Sequence, residues 1–180
     1  MALTRDEYHA LRRKFEPQNI RFVIIAESPP KTGKYFYNPA GVINEPLFSA
    51  LMQQLGVKPT SKEEGLGEFQ RRGWILVDAT YTPVDGIKNH KQRDDLIIGD
   101  YRLLRADLEK LLPDKAPPII VIKANVCRLL QRVLVDDGFN IINKGSVVYF
   151  PSSGRQPDFH RQFGGVLKAH STDAKLADLV

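Results

Sequence analysis

Four short apolar runs punctuate the chain, at residues 20–26 (IRFVIIA), 73–82 (GWILVDATYT), 117–124 (PPIIVIKA) and 145–151 (GSVVYFP). Each is nearly continuous in β-branched and aromatic side chains, as a strand buried on both faces requires. Between them the apolar positions recur at helical spacing. Thr4 with Glu7 has the form of a capping box, and Tyr8, Leu11 and Phe15 follow on one face, predicting a helix over 4–15. Further helical patterns cover 45–55, a polar stretch near 61–72, 93–112 and 125–137. After Phe163 a last helix frays into STDAKLADLV, a tail that either caps the domain or hangs loose. Helices alternating with short apolar strands predict an α/β fold, a three-layer α/β/α sandwich around a mostly parallel four-stranded sheet.

Composition narrows this picture in a few places. A chain of 180 residues buries one sizeable core and is short for two, so a single domain over 1–180 is expected. Twenty-six Lys+Arg against 21 Asp+Glu leave a formal charge of +5, a mild basic excess that favours a polyanion such as DNA or RNA. The single Cys127 excludes an internal disulfide and a multi-thiolate zinc or iron-sulfur site. It lies on the apolar face of a helical pattern and reads as core. No cofactor or metal is expected, and a reducing, cytoplasmic compartment fits best. The N-terminal MALTRDEYHALRRKF has no signal-peptide core, and no segment reaches the ~18 apolar residues that cross a bilayer.

In open α/β sheets ligands bind beyond the carboxyl ends of the strands. The first run ends in Glu27, Ser28, Pro29 and Pro30. The second reaches Asp78 and then TPVDGIKNHKQR, with Lys88 and His90 in a basic loop. The fourth ends in Phe150, Pro151, Ser152, Ser153, Gly154 and Arg155, whereas the third passes into a plain helix at KANVCRLLQRVL. Three of four edges therefore converge on one candidate cleft. Each residue also has a plainer reading. Glu27 and Ser28 can satisfy backbone donors at a turn, Phe36 can be core, and the loop around Lys88 and His90 can simply be solvated. Asp78 is different, because a carboxylate in a buried strand is costly unless paired or hydrogen-bonded. Phe36 and Tyr37 belong to a Tyr-Phe-Tyr cluster between Gly33 and Pro39, an odd place for core. PPKTGK lacks the spacing of a phosphate loop.

In their order along the chain these pieces resemble the uracil-DNA glycosylase superfamily. AESPP is similar to the Gly-Glu-x-Pro-Gly of its iron-sulfur class, which puts Glu27 on the Glu and Pro29 on the Pro. Phe36 in GKYF resembles the Gly-x-x-Phe whose ring stacks on the flipped uracil. Residues 73–86, GWILVDATYTPVDG, are similar to the segment Gly-x-Leu-Leu-Leu-Asn followed by Leu-Thr-Val-x-x-Gly, with Asp78 on the uracil-reading Asn. FPSSGR, residues 150–155, resembles the His-Pro-Ser-Pro-Leu-Ser loop that enters the minor groove. The resemblance spans residues 22–164 and implies a monomeric enzyme that flips a damaged base from DNA and hydrolyses its N-glycosidic bond. It implies catalytic Glu27, Ser28 and Asp78, and base contacts from Phe36, Tyr37, Asp78, Phe150 and Ser152. DNA contacts would come from Pro29, Pro30, Lys88, His90, Pro151, Ser152, Ser153, Gly154 and Arg155.

The sequence departs from that pattern where the chemistry is densest. Ser28 stands at the water-activating Asp position, so Glu27 must serve. Phe150 replaces the His that donates to the departing base, and a phenyl ring cannot hydrogen-bond an oxyanion, which leaves Ser152, Ser153 or Arg155 for that task. Asp78 replaces an amide. Ionised it only accepts, so it either suits a base with amino donors, or is held protonated, or itself activates water. Two alternatives therefore stand beside the glycosylase: a nucleic-acid-binding module that has lost the chemistry, and an α/β enzyme acting on a nucleoside or nucleotide.

Overall fold

The computed structural model describes residues 2–177. Its elements, in chain order, are α1 (Arg5–Arg13), β1 (Phe22–Ala26), α2 (Pro46–Leu55), α3 (Lys62–Arg71), β2 (Trp74–Asp78), α4 (His90–Gly99), α5 (Tyr101–Leu111), β3 (Ile119–Val121), α6 (Ala124–Asp136) and α7 (Gln156–Ala177). The capping box at Thr4 and Glu7 closes the start of α1 as its spacing predicts. The three strands form a parallel sheet in the order β2-β1-β3. Their register pairs Ala26 with Asp78 and Ile25 with both Val77 and Val121.

Successive side chains of a strand point to opposite faces, and each face of this sheet has its own core. Phe22, Ile24, Leu76 and Ile120 pack with Tyr8, Phe48, Leu51, Phe69 and Phe163. Val23, Ile25, Ile75, Val77 and Val121 pack with Ile97, Leu104, Leu108, Cys127 and Leu130. Helices α1, α2, α3 and α7 thus cover one face, and α4, α5 and α6 cover the other. Burial on both faces is why the strands read as unbroken apolar runs. Gly65 lets α3 approach α2, since a Cβ there would collide with the Phe48 ring.

The sheet has three strands among the described residues, where the apolar runs predict four. The run 145–151 lies beside β3 but contributes one ladder-like bond, Lys123 N–H to the Val148 carbonyl at 2.7 Å. Along the same edge Ile119 N–H donates to the Asn140 carbonyl at 2.8 Å and the Ile119 carbonyl accepts from Ile142 N–H at 2.9 Å, a single parallel bridge, and at Val121 the place of a fourth strand is taken by the Asn143 side chain. Its Oδ1 accepts from Val121 N–H at 2.9 Å and its Nδ2 donates to the Val121 carbonyl at 2.8 Å. The other edge is closed in the same way by Tyr37, whose hydroxyl accepts from Leu76 N–H at 2.7 Å and donates to its carbonyl at 3.2 Å.

The helical pattern at 93–112 is two helices, broken at Asp100, whose N–H still bonds the Leu96 carbonyl while Thr80 Oγ1 donates to its side chain at 2.6 Å. That tie fixes the break to the carboxyl edge of β2. The last helix begins earlier than expected, at Gln156, and runs to Ala177, so it includes residues 171–177 of the tail. The remainder of that tail, residues 178–180, lies outside the described residues.

Candidate functional site at the carboxyl edge of the sheet

The register Ala26–Asp78 brings the ends of β1 and β2 side by side, and bonds from Ala79 N–H to Ala26 and from Thr80 N–H to Glu27 extend the pairing past both strands. Above this edge opens a cavity of about 320 Å³. Glu27, Ser28, Pro29 and Pro30 line it from β1, Asp78 from β2, and Tyr35, Phe36 and Phe48 form its aromatic wall, with Lys123 and Phe150 on the remaining side. The three strand ends singled out in the sequence therefore border one cavity, and the run 117–124 joins them through Lys123.

Glu27 is 7% exposed and heavily bonded. Its Oε1 accepts from Asn125 at 2.6 Å and from Arg93 at 3.2 Å; its Oε2 accepts from Arg93 at 3.3 Å and from Lys123 in an ion pair. Four donated bonds fill the lone-pair sites of a carboxylate. Asp78 is the reverse. It is 3% exposed, Oδ2 has no hydrogen-bond partner, and burial pushes its carboxyl up to about 8, against the pull of Arg12 and with help from the Glu27 charge. Arg12 is spent elsewhere, bidentate on Asp107 at 2.6 and 2.8 Å and bonded to the Tyr81 hydroxyl at 3.0 Å.

Phe36 lines the cavity at 6% exposure, set edge-on to Phe69 with ring centroids 5.2 Å apart. Ser28 also lines it, but its Oγ accepts from Val84 N–H at 3.3 Å, bracing the turn. Tyr37, an expected base contact, does not line the cavity, because its hydroxyl serves the sheet edge.

Beyond Lys123 and Phe150, which border both spaces, lies a second cavity of about 400 Å³. It gathers Arg93, Arg128 and Arg155 with His90, Tyr149, Asn125 and Ser152, so Ser152 and Arg155 sit here and not in the first cavity. Arg93, Lys123, Arg128 and Arg155 are four cations against the three carboxylates that pair with them, Glu27, Asp94 and Asp158, the last shared with Arg161. The N-terminus of α6 opens on the same side, capped by no side chain. Among the expected DNA contacts, Lys88, Ser153 and Gly154 are exposed and line neither cavity, and Pro151 is buried and lines neither.

Two of the residues that sequence reasoning missed, Lys123 and Asn125, begin the "plain" helix at the edge it set aside, and Arg93 ends the segment TPVDGIKNHKQR and lies in α4. A charged residue directly after an apolar strand was the available signal, and Lys123 carries a second mark in the structure, a backbone φ of +77° that a non-glycine residue rarely adopts. Among the described residues no cluster of His, Cys, Asp and Glu could hold a metal ion, and Cys127 is buried with its thiol donating to Val121. No described helix is long and apolar enough to cross a membrane. Comparison with models of known protein families and with curated proteins finds no match to this chain.

Proposed function

We propose that the chain is a DNA base-excision glycosylase that hydrolyses the N-glycosidic bond of uracil or another deaminated base. The observation that carries this reading is the meeting of Glu27, Phe36 and Asp78 in one cavity at the carboxyl edge of the sheet, beside a cationic cleft. A flipped base enters against the Phe36 ring, and Asp78 addresses its polar edge. The bond from C1′ to the base breaks with its electron pair leaving on the base, and Glu27 offsets the positive charge left on the sugar. Water then attacks C1′ and gives its proton to the carboxylate. Lys123 takes the place of the donor that Phe150 cannot be: it borders the cavity and carries a charge opposite to that of the departing base anion. Glu27 needs a free lone pair for this, and the two Arg93 bonds, at 3.2 and 3.3 Å, are the long ones to give up. A backbone phosphate in the second cavity would draw Arg93 away.

The saturation of Glu27 also favours a second reading, a binding module that keeps the cleft and lacks the chemistry. Incubation with labelled single- and double-stranded oligonucleotides containing uracil, hypoxanthine or xanthine, followed by alkali, decides between them. Strand cleavage supports the glycosylase; salt-sensitive binding with no cleavage of any substrate supports the binding module and removes the enzyme.

A further inference from the structure

Asp78 ends β2 in the wall of the first cavity, 3% exposed, with Oδ2 unpartnered. A buried carboxylate is normally held by a cation or by several N–H donors. Asp78 has neither. The guanidinium acting on it, Arg12 of α1, puts both terminal nitrogens on Asp107. From β1 comes Glu27, a like charge. The tyrosines whose titration Asp78 influences, Tyr8 of α1, Tyr35 and Tyr37 after β1 and Tyr81 after β2, are all pushed above their ordinary range by burial, so they stay neutral where Asp78 changes charge.

We infer, resting on the reading of this cavity as a base pocket, that Asp78 recognises the base as a neutral carboxylic acid, its hydroxyl donating and its carbonyl oxygen accepting. The matching class is a base edge that sets one donor beside one acceptor. In uracil and hypoxanthine that edge is a ring N–H next to a C=O. The acid turned over also meets the ring nitrogen and amine of an undeaminated base, so Asp78 fixes the kind of edge and the remaining wall chooses between bases. Ionisation ends the match, since a carboxylate has no donor and repels the C=O. An apolar site that keeps a carboxyl neutral so that it can donate is a known device of enzymes. The acid holds its proton throughout and is not consumed. An Asn at this position would offer the same pair of groups at every pH.

The test uses the full chain and its Asp78→Asn variant. A carbon-13 titration of side-chain carboxyls should show one group with a midpoint near pH 8 that the variant lacks. If every carboxyl titrates below pH 6, the inference is overturned whatever the protein does to DNA. In single-turnover release of uracil and hypoxanthine from oligonucleotides, the wild-type rate should fall about tenfold per pH unit above pH 8, as one ionisation dictates. The variant should change less than about threefold between pH 7 and 9.5. A variant with the same falling limb overturns the inference and leaves the glycosylase reading intact. If no base is released, the same comparison is read on equilibrium binding of 2′-deoxyuridine. Loss of binding above pH 8 in the wild type alone sustains the neutral acid while the enzyme reading falls; matching pH profiles overturn both.

Discussion

Glu27 and Asp78 lie one residue apart in register on neighbouring strands, and the structure gives one of them four donated bonds and the other no partner at Oδ2. Their roles separate accordingly. If the chain is the glycosylase proposed above, Glu27→Gln removes the charge that offsets the sugar cation, and base release should slow by roughly a hundredfold or more. Ser28→Ala removes one acceptor from Val84 N–H, at a cost of about 0.5–1.5 kcal/mol in denaturant unfolding, and should leave release within about threefold. Equal losses in the two variants would return catalysis to Ser28. Asp78 also writes itself into stability. Its carboxyl keeps its proton in the fold up to about pH 8 and loses it near pH 4 when unfolded. Between those limits the native state binds the extra proton, so the contribution of Asp78 to stability is fullest below pH 4 and falls as pH rises to about 8, then levels. Urea unfolding of wild type against Asp78→Asn should show a difference that grows across that window, and a difference constant from pH 4 to 9 would rule out the neutral acid.

The elements were legible wherever burial alone made them. Residues 20–26, 73–82 and 117–124 contain β1, β2 and β3 because each is covered on both faces, and periodicity reads burial directly. The run 145–151 is as apolar, but what closes the edge of β3 at Val121 is a hydrogen-bonding carboxamide, and hydropathy carries no trace of that. Asn143 is polar and 2% exposed, a combination visible only once the chain is folded. Asn143→Ala should therefore behave as a loss of structure at the sheet edge. It leaves Val121 N–H buried without a partner, at about 1–3 kcal/mol, and its C=O with the Cys127 thiol alone, and amide exchange at Val121 should accelerate while that at Leu76, closed by Tyr37, does not. A fourth strand held by backbone pairing would keep Val121 protected in that variant. The break at Asp100 escaped notice for the same reason: Thr80 reaches it from another part of the chain, over a separation that no helical repeat records.

At the scale of the molecule, the rule that ligands sit at strand ends found the first cavity, but a net charge of +5 could not say where the charge gathers. The structure concentrates it on the far side of Phe150, where α4, α6 and the start of α7 bring four cations around three carboxylates. Arg128 is half open to solvent and paired with Asp94, and Arg155 lies over Tyr149 and pairs with Asp158, so both can exchange a carboxylate for a phosphate without unfolding anything. If DNA runs across this cleft, its affinity must fall with salt at a log-log slope near −0.9 for each duplex phosphate neutralised. Arg128→Gln and Arg155→Gln together should then lower the magnitude of that slope by about two and weaken binding to every sequence alike, damaged or not. Release of an already bound base should change little, because neither side chain lines the first cavity. A slope that the double variant leaves unchanged would move the DNA track to another face, and the excess charge on this side would then serve only to hold Glu27 in place.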